Sequence, residues 1–350
     1  MKSENLTLPN AEKLGLLSNL STMVNAGLTL AEAVESLLED SVGNLKQVLT
    51  GIQAEITQGK PLHAALAKYP RIFDPVTVAI IKAAEESGTI DVVLKDVKNT
   101  VKKDIEFSDK IRSALTYPAV ILVVFFGVLI LLLTFVIPKI SDVFLRLRVQ
   151  LPLPTRILMA LSDLILHYTV PTLLVLAGTI AFLIFLYKKQ RKLFTNTLLN
   201  LPYISSIARQ IDLTRFSRSM YLLLISAIPL YSALELTQAV AFKREVREAI
   251  ARAREYVGGG KRLADGLRGQ KTIPSLMVKI IEVGERSGSL DKSMEDLSEY
   301  FDYQVTTTLQ YLMTLLEPLI LVLVGVVVGG MMMAIIAPIY NLIGQVGEFH

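Results

Sequence analysis

The sequence of 350 residues contains no cysteine, which excludes disulfide bonds and metal sites built on thiolates. Its three histidines, His63, His167 and His350, are too scattered to predict a metal site, and the zinc-binding pattern H-E-x-x-H does not occur. Charged residues make up only 19% of the chain, against about 25% in an average soluble protein, and 52% of its residues are hydrophobic. The apolar residues form long blocks, which predicts a membrane protein.

Motifs for enzymatic chemistry are also lacking. The stretch GGGKR at 258–262 resembles part of a phosphate-binding loop, but Glu255 and Arg262 occupy the first and last positions of G-x-x-x-x-G-K-[ST], where glycine and Ser/Thr are needed. There is no G-x-S-x-G sequence, and the apolar blocks carry no ionisable residue in their interiors, which argues against a proton or ion pathway. We therefore predict a non-enzymatic protein without a cofactor or metal.

Three apolar segments are predicted to span a membrane: residues 118–137, 171–187 and 318–337. The first, PAVILVVFFGVLILLLTFVI, is uncharged and as long as the roughly 20 residues with which a helix crosses a bilayer. A buried core helix is the alternative for each segment, and it applies most to 171–187, which is the shortest.

The distribution of basic residues predicts the orientation of these segments. The cluster KKQRK directly after the second span indicates the cytoplasm, and the polar start MKSENLTLPN has no signal-peptide core, so the N-terminus is expected inside. The tail after the third span has no Lys or Arg. Residues 1–117 and 188–317 are therefore predicted to be cytoplasmic, with 138–170 as an outside-facing loop and 338–350 as an outside-facing tail. Placement of 138–170 follows from the number of spans, because that loop carries four basic residues.

The chain repeats itself with a period of 200 residues. EESGTID at 85–91 returns as ERSGSLD at 285–291, and Pro118 returns as Pro318. Only GKPLHAAL (59–66) is shifted by one residue, onto GKRLADGL (260–267). A constant register over this distance indicates duplication. Each copy is a domain of about 100 residues followed by a span, and segment 171–187 returns the chain across the membrane.

Apolar residues at helical spacing, such as Leu16, Leu20, Met23 and Val24, predict that the domains are helical. We therefore predict an all-α integral membrane protein with two repeated cytoplasmic helical bundles and three transmembrane helices.

The repeated phrase is interpreted as a tight turn between two helices. Gly88 and Gly288 are expected to end one helix in the left-handed conformation, and Asp91 and Asp291 to lie in the first turn of the next. Carboxylates before the end of a helix are mildly unfavourable, so the glutamates have no explanation in this turn. Contact with a partner stays open for this segment, whose candidate residues are Glu85, Glu86, Ser87, Gly88, Asp91, Glu285, Ser287, Gly288 and Asp291.

Two further features concern the spans and the charge. Gly325 and Gly329 form G-x-x-x-G, which predicts close helix packing, either within the chain or between two chains. Pro118, Glu317 and Pro318 mark predicted membrane edges. Residues 1–117 have a net charge of −2 and residues 188–317 of +5. The positive net charge of residues 188–317 is consistent with contact to anionic lipid or an acidic partner, or with the positive-inside rule alone.

The segments LPLPTRILMALSD (151–163) and LPYISSIARQIDLTRFSRSMYLLLISAIPL (201–230), with the repeated turn, resemble the inner-membrane platform proteins of type IV pilus and type II secretion systems, the GspF/PilC family. The matching positions in the second segment are Leu201, Pro202, Arg215, Phe216, Arg218, Leu223, Pro229 and Leu230. The resemblance extends from Leu16 to Tyr340. It departs from the family at AGLTL (26–30), which lacks the proline of the pattern, and at SAIPL (226–230), which lacks the glycine.

The resemblance implies a platform in the cytoplasmic membrane that couples a hexameric ATPase to the extraction of pilin or pseudopilin subunits from the bilayer. Other inner-membrane assembly proteins and the lipid bilayer are its further expected partners, and no nucleic acid is expected. A homodimer is expected from the frequency of two-fold assemblies. A membrane transporter built from parallel repeats is the alternative function, which the uncharged spans disfavour.

Overall fold

A computed structural model describes residues 5–139, 153–167 and 202–347, and all regular structure in these ranges is helical. Repeat one consists of α1 (Asn10–Asn25), α2 (Leu30–Glu39), α3 (Gly43–Thr57), α4 (Leu62–Ala67), α5 (Pro75–Ser87) and α6 (Ile90–Leu131). Helix α7 (Leu153–His167) follows. Repeat two consists of α8 (Pro202–Ile225), α9 (Leu230–Val240), α10 (Arg244–Gly258), α11 (Leu263–Leu267), α12 (Ser275–Ser287) and α13 (Leu290–Gly347). The predicted all-α, duplicated architecture is confirmed, while span 171–187 lies outside the described residues.

The one-residue shift between the repeats covers more of the chain than the sequence indicates. Helices α5 and α12 correspond at an offset of 200, but α3 and α10 begin 201 residues apart. Helix α9 has 11 residues and its counterpart α2 has 10, which raises the offset between the repeats to 201. Helix α11 has 5 residues and its counterpart α4 has 6, which returns the offset to 200. Both changes fall at helix ends, where a residue is added without rotating the packed faces.

The repeats start their helices with different side chains. In repeat one, Thr29 and Glu32 form a capping box at the start of α2, and the Asp74 carboxylate accepts the N–H of Thr77 at the start of α5. The bond to the Thr29 backbone N–H lowers the pKa of Glu32. In repeat two, Pro229 and Pro274 occupy the equivalent positions and provide no side-chain cap. Proline fixes its own φ, so repeat two sets these starts by backbone restriction.

The described residues up to Lys110 and from Pro202 to Thr306 form one compact unit. Its core is continuous across both repeats and contains fully buried side chains from each, including Leu49, Ile81, Leu213 and Leu234. Burial stabilises the fold by roughly 1.5–3 kcal/mol for each such side chain. Helix α5 of repeat one packs against α8 and α9 of repeat two.

The second unit contains the described residues 111–139, 153–167 and 307–347. Two helical stretches, Ile90–Lys139 and Leu290–Met333, are long and apolar enough to cross a membrane, and only 11% and 6% of their most apolar windows are buried. This exposure disfavours the buried-core alternative for these two segments. Helix α13 continues to Gly347, through most of the predicted tail.

A π-helical turn at Leu132–Val136 interrupts the first apolar helix. Its wider hydrogen-bonding pattern changes the backbone pairing there, and the buried Ser162 hydroxyl of α7 donates to the carbonyl of Leu133 at 2.5 Å. Leu133 and Ile137 pack with Met331 in a small apolar cluster. Helix α7, which lies in the predicted loop 138–170, therefore packs on this turn.

Candidate functional site

The repeated turn joins two helices in the same way in both copies. Gly88 ends α5 with φ +72° and Gly288 ends α12 with φ +71°, in the left-handed region. The N–H of Thr89 donates to the Ala84 carbonyl and that of Ser289 to the Gly284 carbonyl, both at 2.9 Å. These bonds define a Schellman ending, in which glycine avoids the cost of a Cβ atom.

The glutamates before the turn cap another helix. The Glu85 carboxylate accepts the backbone N–H of Leu62 at 2.5 Å and that of His63 at 3.0 Å, at the start of α4. Pro61, in the N-cap position of α4, makes no side-chain cap. A carboxylate at a helix N-terminus satisfies free N–H groups and interacts favourably with the helix dipole. This gain offsets the weak cost of placing Glu85 near the end of its own helix.

Glu285 repeats this arrangement despite the one-residue shift. Its carboxylate accepts the N–H groups of Leu263 and Ala264, at 2.6 and 2.9 Å, at the start of α11. Repeat one has an additional contact, since Nδ1 of His63 lies 2.6 Å from Oε2 of Glu85, whereas repeat two has alanine there. The structure therefore gives both glutamates an intrachain role that sequence reasoning missed; a carboxylate 22 or 23 residues after an uncapped helix start was the available signal.

The other residues of the predicted segment are placed as follows. Glu86 is exposed and lies 3.8 Å from Lys82 on the same helix. Ser87 and Ser287 donate to carbonyls one turn earlier, and their hydroxyls pair with those of Thr89 and Ser289. Asp91 and Asp291 lie in the first turns of α6 and α13, where the helix dipole favours a carboxylate. Within this segment of repeat one, Glu86 is the carboxylate most open to a partner.

A buried arginine links the two repeats. Arg218 of α8, whose side chain is 6% exposed, bonds Asp104 of α6 at 2.5 Å and Asp302 of α13 at 3.0 Å. Its guanidinium also lies 5.5 Å from the ring centre of Phe107. Arg218 entered the sequence analysis only as a position of family resemblance, and nothing in the sequence indicated its partners. This cluster, Arg218 with Asp104 and Asp302, is called the inter-repeat clasp below.

Repeat two has a second buried charge without a counterpart in repeat one. The Asp212 carboxylate of α8 accepts the N–H groups of Phe242 and Lys243, directly before α10. Burial raises the pKa of Asp212, while these two bonds oppose the shift. The equivalent Glu12 is exposed in the first turn of α1.

The predicted span residues have open surroundings. A Cβ atom at Gly325 or Gly329 would meet nothing within 4 Å among the described residues, so close packing at G-x-x-x-G stays a prediction. Pro118 lies inside α6 and Pro318 inside α13, and Glu317 beside it is exposed. In the part of the chain that the structure describes, no cluster of three His, Asp or Glu side chains is suited to a metal ion.

A duplicated helical bundle, two long apolar helices and corners that use their polar groups for capping define a class of structural membrane protein. The sequence matches the family described as type II secretion system (T2SS), protein F, over residues 16–138 and again over 216–338. The chain belongs to this family. The two matches are offset by 200 residues, in agreement with the internal repeat.

Proteins of both pilus and secretion systems are similar to this chain. It is 31% identical over 346 residues to type IV pilus assembly protein PilC of Thermus thermophilus, covering 96% of this chain and 84% of that protein. It is 29% identical over 330 residues to PilC of Myxococcus xanthus, covering 93% and 79%. It is 31% identical over 326 residues to type II secretion system protein F of Aeromonas hydrophila, covering 92% and 84%.

These matches establish the class of function. The chain is a multi-pass inner-membrane platform protein of the type IV pilus and type II secretion family, and such proteins are non-enzymatic. It is therefore a component of pilus or secretion machinery. The hydrogen bonds of the repeated turn are consistent with this class, because they join helices of one bundle.

Proposed function

We propose that this platform couples a hexameric ATPase on its cytoplasmic side to the extraction of pilin or pseudopilin subunits from the membrane. The observation that carries the proposal is that each repeat ends in one continuous helix, α6 or α13, with a polar first part and an apolar second part. A displacement of the helical unit by the motor passes along these helices to the subunit.

The proposed topology places residues 1–117 and 188–317 in the cytoplasm, spans at 118–137, 171–187 and 318–337, and residues 138–170 and 338–350 outside. The basic residues after the second span support it. Because the chain lacks cysteine, single cysteines report topology directly. With an impermeant maleimide on intact cells, Tyr340→Cys reacts and Val42→Cys reacts only after permeabilisation. Labelling of Val42→Cys in intact cells contradicts the topology.

Interrupting one of these helices tests the coupling. A Gly-Gly insertion after Lys110 weakens α6 at that point, since each glycine costs about 1 kcal/mol relative to alanine inside a helix. It also changes the rotational register between the polar and the apolar part of the helix. We expect filament output to fall sharply while the ATPase still co-purifies. The same insertion after Gly269, in the exposed loop between α11 and α12, is the control and leaves output intact. Normal output after clean deletion of the whole chain contradicts the proposed function.

A further inference from the structure

The contact between the two repeats runs in one direction. Helix α5 of repeat one packs on α8 and α9 of repeat two. Val76 and Ile80 of α5 are only 4% and 1% exposed, and they line a cavity of about 260 Å³ together with Leu222 of α8 and Val240 of α9. Repeat two therefore covers the outer face of α5.

The reverse contact does not form. Among the described helices, α12, the counterpart of α5, makes no packing of this extent with α1 or α2, the counterparts of α8 and α9. Its outer face stays open, with Leu276 43% exposed and Val283 65% exposed. Leu276 corresponds to the buried Val76. A one-way contact of this kind is heterologous, so each repeat keeps one unused face.

The second unused face lies on repeat one and has complementary charge. The positions that correspond to Leu222 and Val240 are Thr22 and Asp40, and both are exposed. On the open face of α12, Lys279 is exposed where α5 has Ala79.

We propose that the open face of α12 binds the α1–α2 face of a second copy of this chain, head to tail, with Lys279 of one copy near Asp40 of the other. The contact repeats between chains the contact that α5 makes within a chain. Two copies form four repeats, and the same contact made twice closes them into a ring. Chains in one membrane share an orientation, which suits rotation about the membrane normal.

Cysteine pairs test the geometry in the full-length chain in its membrane, because the native sequence has no cysteine to interfere. Chains with Leu276→Cys and chains with Asp40→Cys, carrying different tags, are co-expressed and oxidised. We expect a disulfide-linked heterodimer, at least about tenfold more abundant than dimers of either variant expressed alone. Val76→Cys with Val240→Cys in one chain is the matched control, because both residues line the same intrachain cavity.

Two results overturn the proposal. One is a Leu276→Cys homodimer as abundant as the heterodimer, which indicates a symmetric contact of α12 with itself. The other is absence of the heterodimer while the control pair oxidises, including the case in which Leu276→Cys links instead to a different protein.

Charge reversal provides an independent test in detergent-solubilised full-length chain. Because the dimer contains the pair twice, Lys279→Glu or Asp40→Lys alone is expected to weaken dimerisation by roughly 30-fold in Kd, at the upper range of about 1 kcal/mol for each exposed ion pair. The double variant restores it, because the pair is re-formed with reversed signs. Lys292→Glu, an exposed change outside this face, leaves the Kd unchanged. Additive losses in the double variant, or a native chain that sediments as a monomer, contradict the proposal.

Discussion

Repeat one and repeat two both bring a glutamate from the fifth helix to the start of the fourth, although the fourth helices are offset by 201 residues and the fifth by 200. The carboxylate needs two consecutive free N–H groups, and neither the residue number nor the side chain there matters. His63 in one copy and Ala264 in the other satisfy this need equally. The comparison shows that backbone geometry was retained after duplication while local register changed.

The repeats differ in how they use their first helix. Helix α8 carries Arg218 and Asp212, and both are buried and bonded to other elements. The equivalent positions in α1 are Ser18 and Glu12, which make no such connection among the described residues. Repeat two thus provides the arginine of the inter-repeat clasp. The substitutions below distinguish the features that both repeats share from those found in one repeat.

The largest effect is expected from Arg218→Ala, which removes the clasp from repeat two. Loss of one partner of a buried ion pair costs about 3 kcal/mol or more, and exposure of Asp104 reduces this toward the lower end. We expect a reduction of about 3 kcal/mol in the free energy of unfolding, measured by denaturant titration in detergent. Lys103→Ala removes the exposed pair with Glu299 between α6 and α13, the two helices that carry Asp104 and Asp302, and serves as the control at less than about 1 kcal/mol. Equal losses for the two variants contradict a special role for Arg218.

The shared caps are tested by Glu85→Ala and Glu285→Ala. Each variant leaves two backbone N–H groups without their acceptor, and we expect a loss of about 2 kcal/mol, the upper value for a helix cap. Glu85→Ala is the larger of the two because it also removes the contact with His63. His63→Ala in the native background makes repeat one resemble repeat two and removes that difference. Denaturant midpoints of the native chain, these three single variants and the double variant Glu85→Ala/His63→Ala measure it. A negligible loss for both glutamates contradicts their role as caps.

Substitution of the glycine in the repeated turn is expected to lower stability equally in both repeats. Gly88→Ala and Gly288→Ala place a Cβ atom in the left-handed region, at about 1–2 kcal/mol each. Gly15→Ala is the control, since Gly15 lies inside α1 with no atom within 4 Å of the added Cβ, and alanine there stabilises by about 1 kcal/mol. We expect the melting temperature to fall for Gly88→Ala and Gly288→Ala and to rise for Gly15→Ala. A gain in stability at Gly88 or Gly288 contradicts the Schellman ending.

The sequence sufficed for the features that repeat or that depend on local chemistry. The duplication, the helical class, the apolar spans and the left-handed glycines follow from periodicity, hydropathy and turn chemistry. The role of Glu85 and Glu285 did not follow, because their acceptor function depends on which helix start lies beside α5 or α12 in the fold. Arg218 was missed for the same reason, since Asp104 and Asp302 are 114 and 84 residues away in sequence.

The smallest expected effect is a pH dependence specific to repeat two. Burial raises the pKa of Asp212, so the folded chain holds this proton more tightly than the unfolded chain. The contribution of Asp212 to stability therefore falls as pH rises from about 3.9, the ordinary value for aspartate, through the raised folded pKa. Asp212→Asn has no proton to lose and retains one acceptor for the N–H groups before α10. We expect the unfolding free energy of the native chain to fall relative to that of Asp212→Asn as pH rises from acid to neutral, because only the native chain then carries a charge in this buried site. Glu12→Gln, at the exposed equivalent position of repeat one, is the control and is expected to follow the native profile. An unfolding free energy of the native chain that rises relative to that of Asp212→Asn between acid and neutral pH contradicts the sign of this shift.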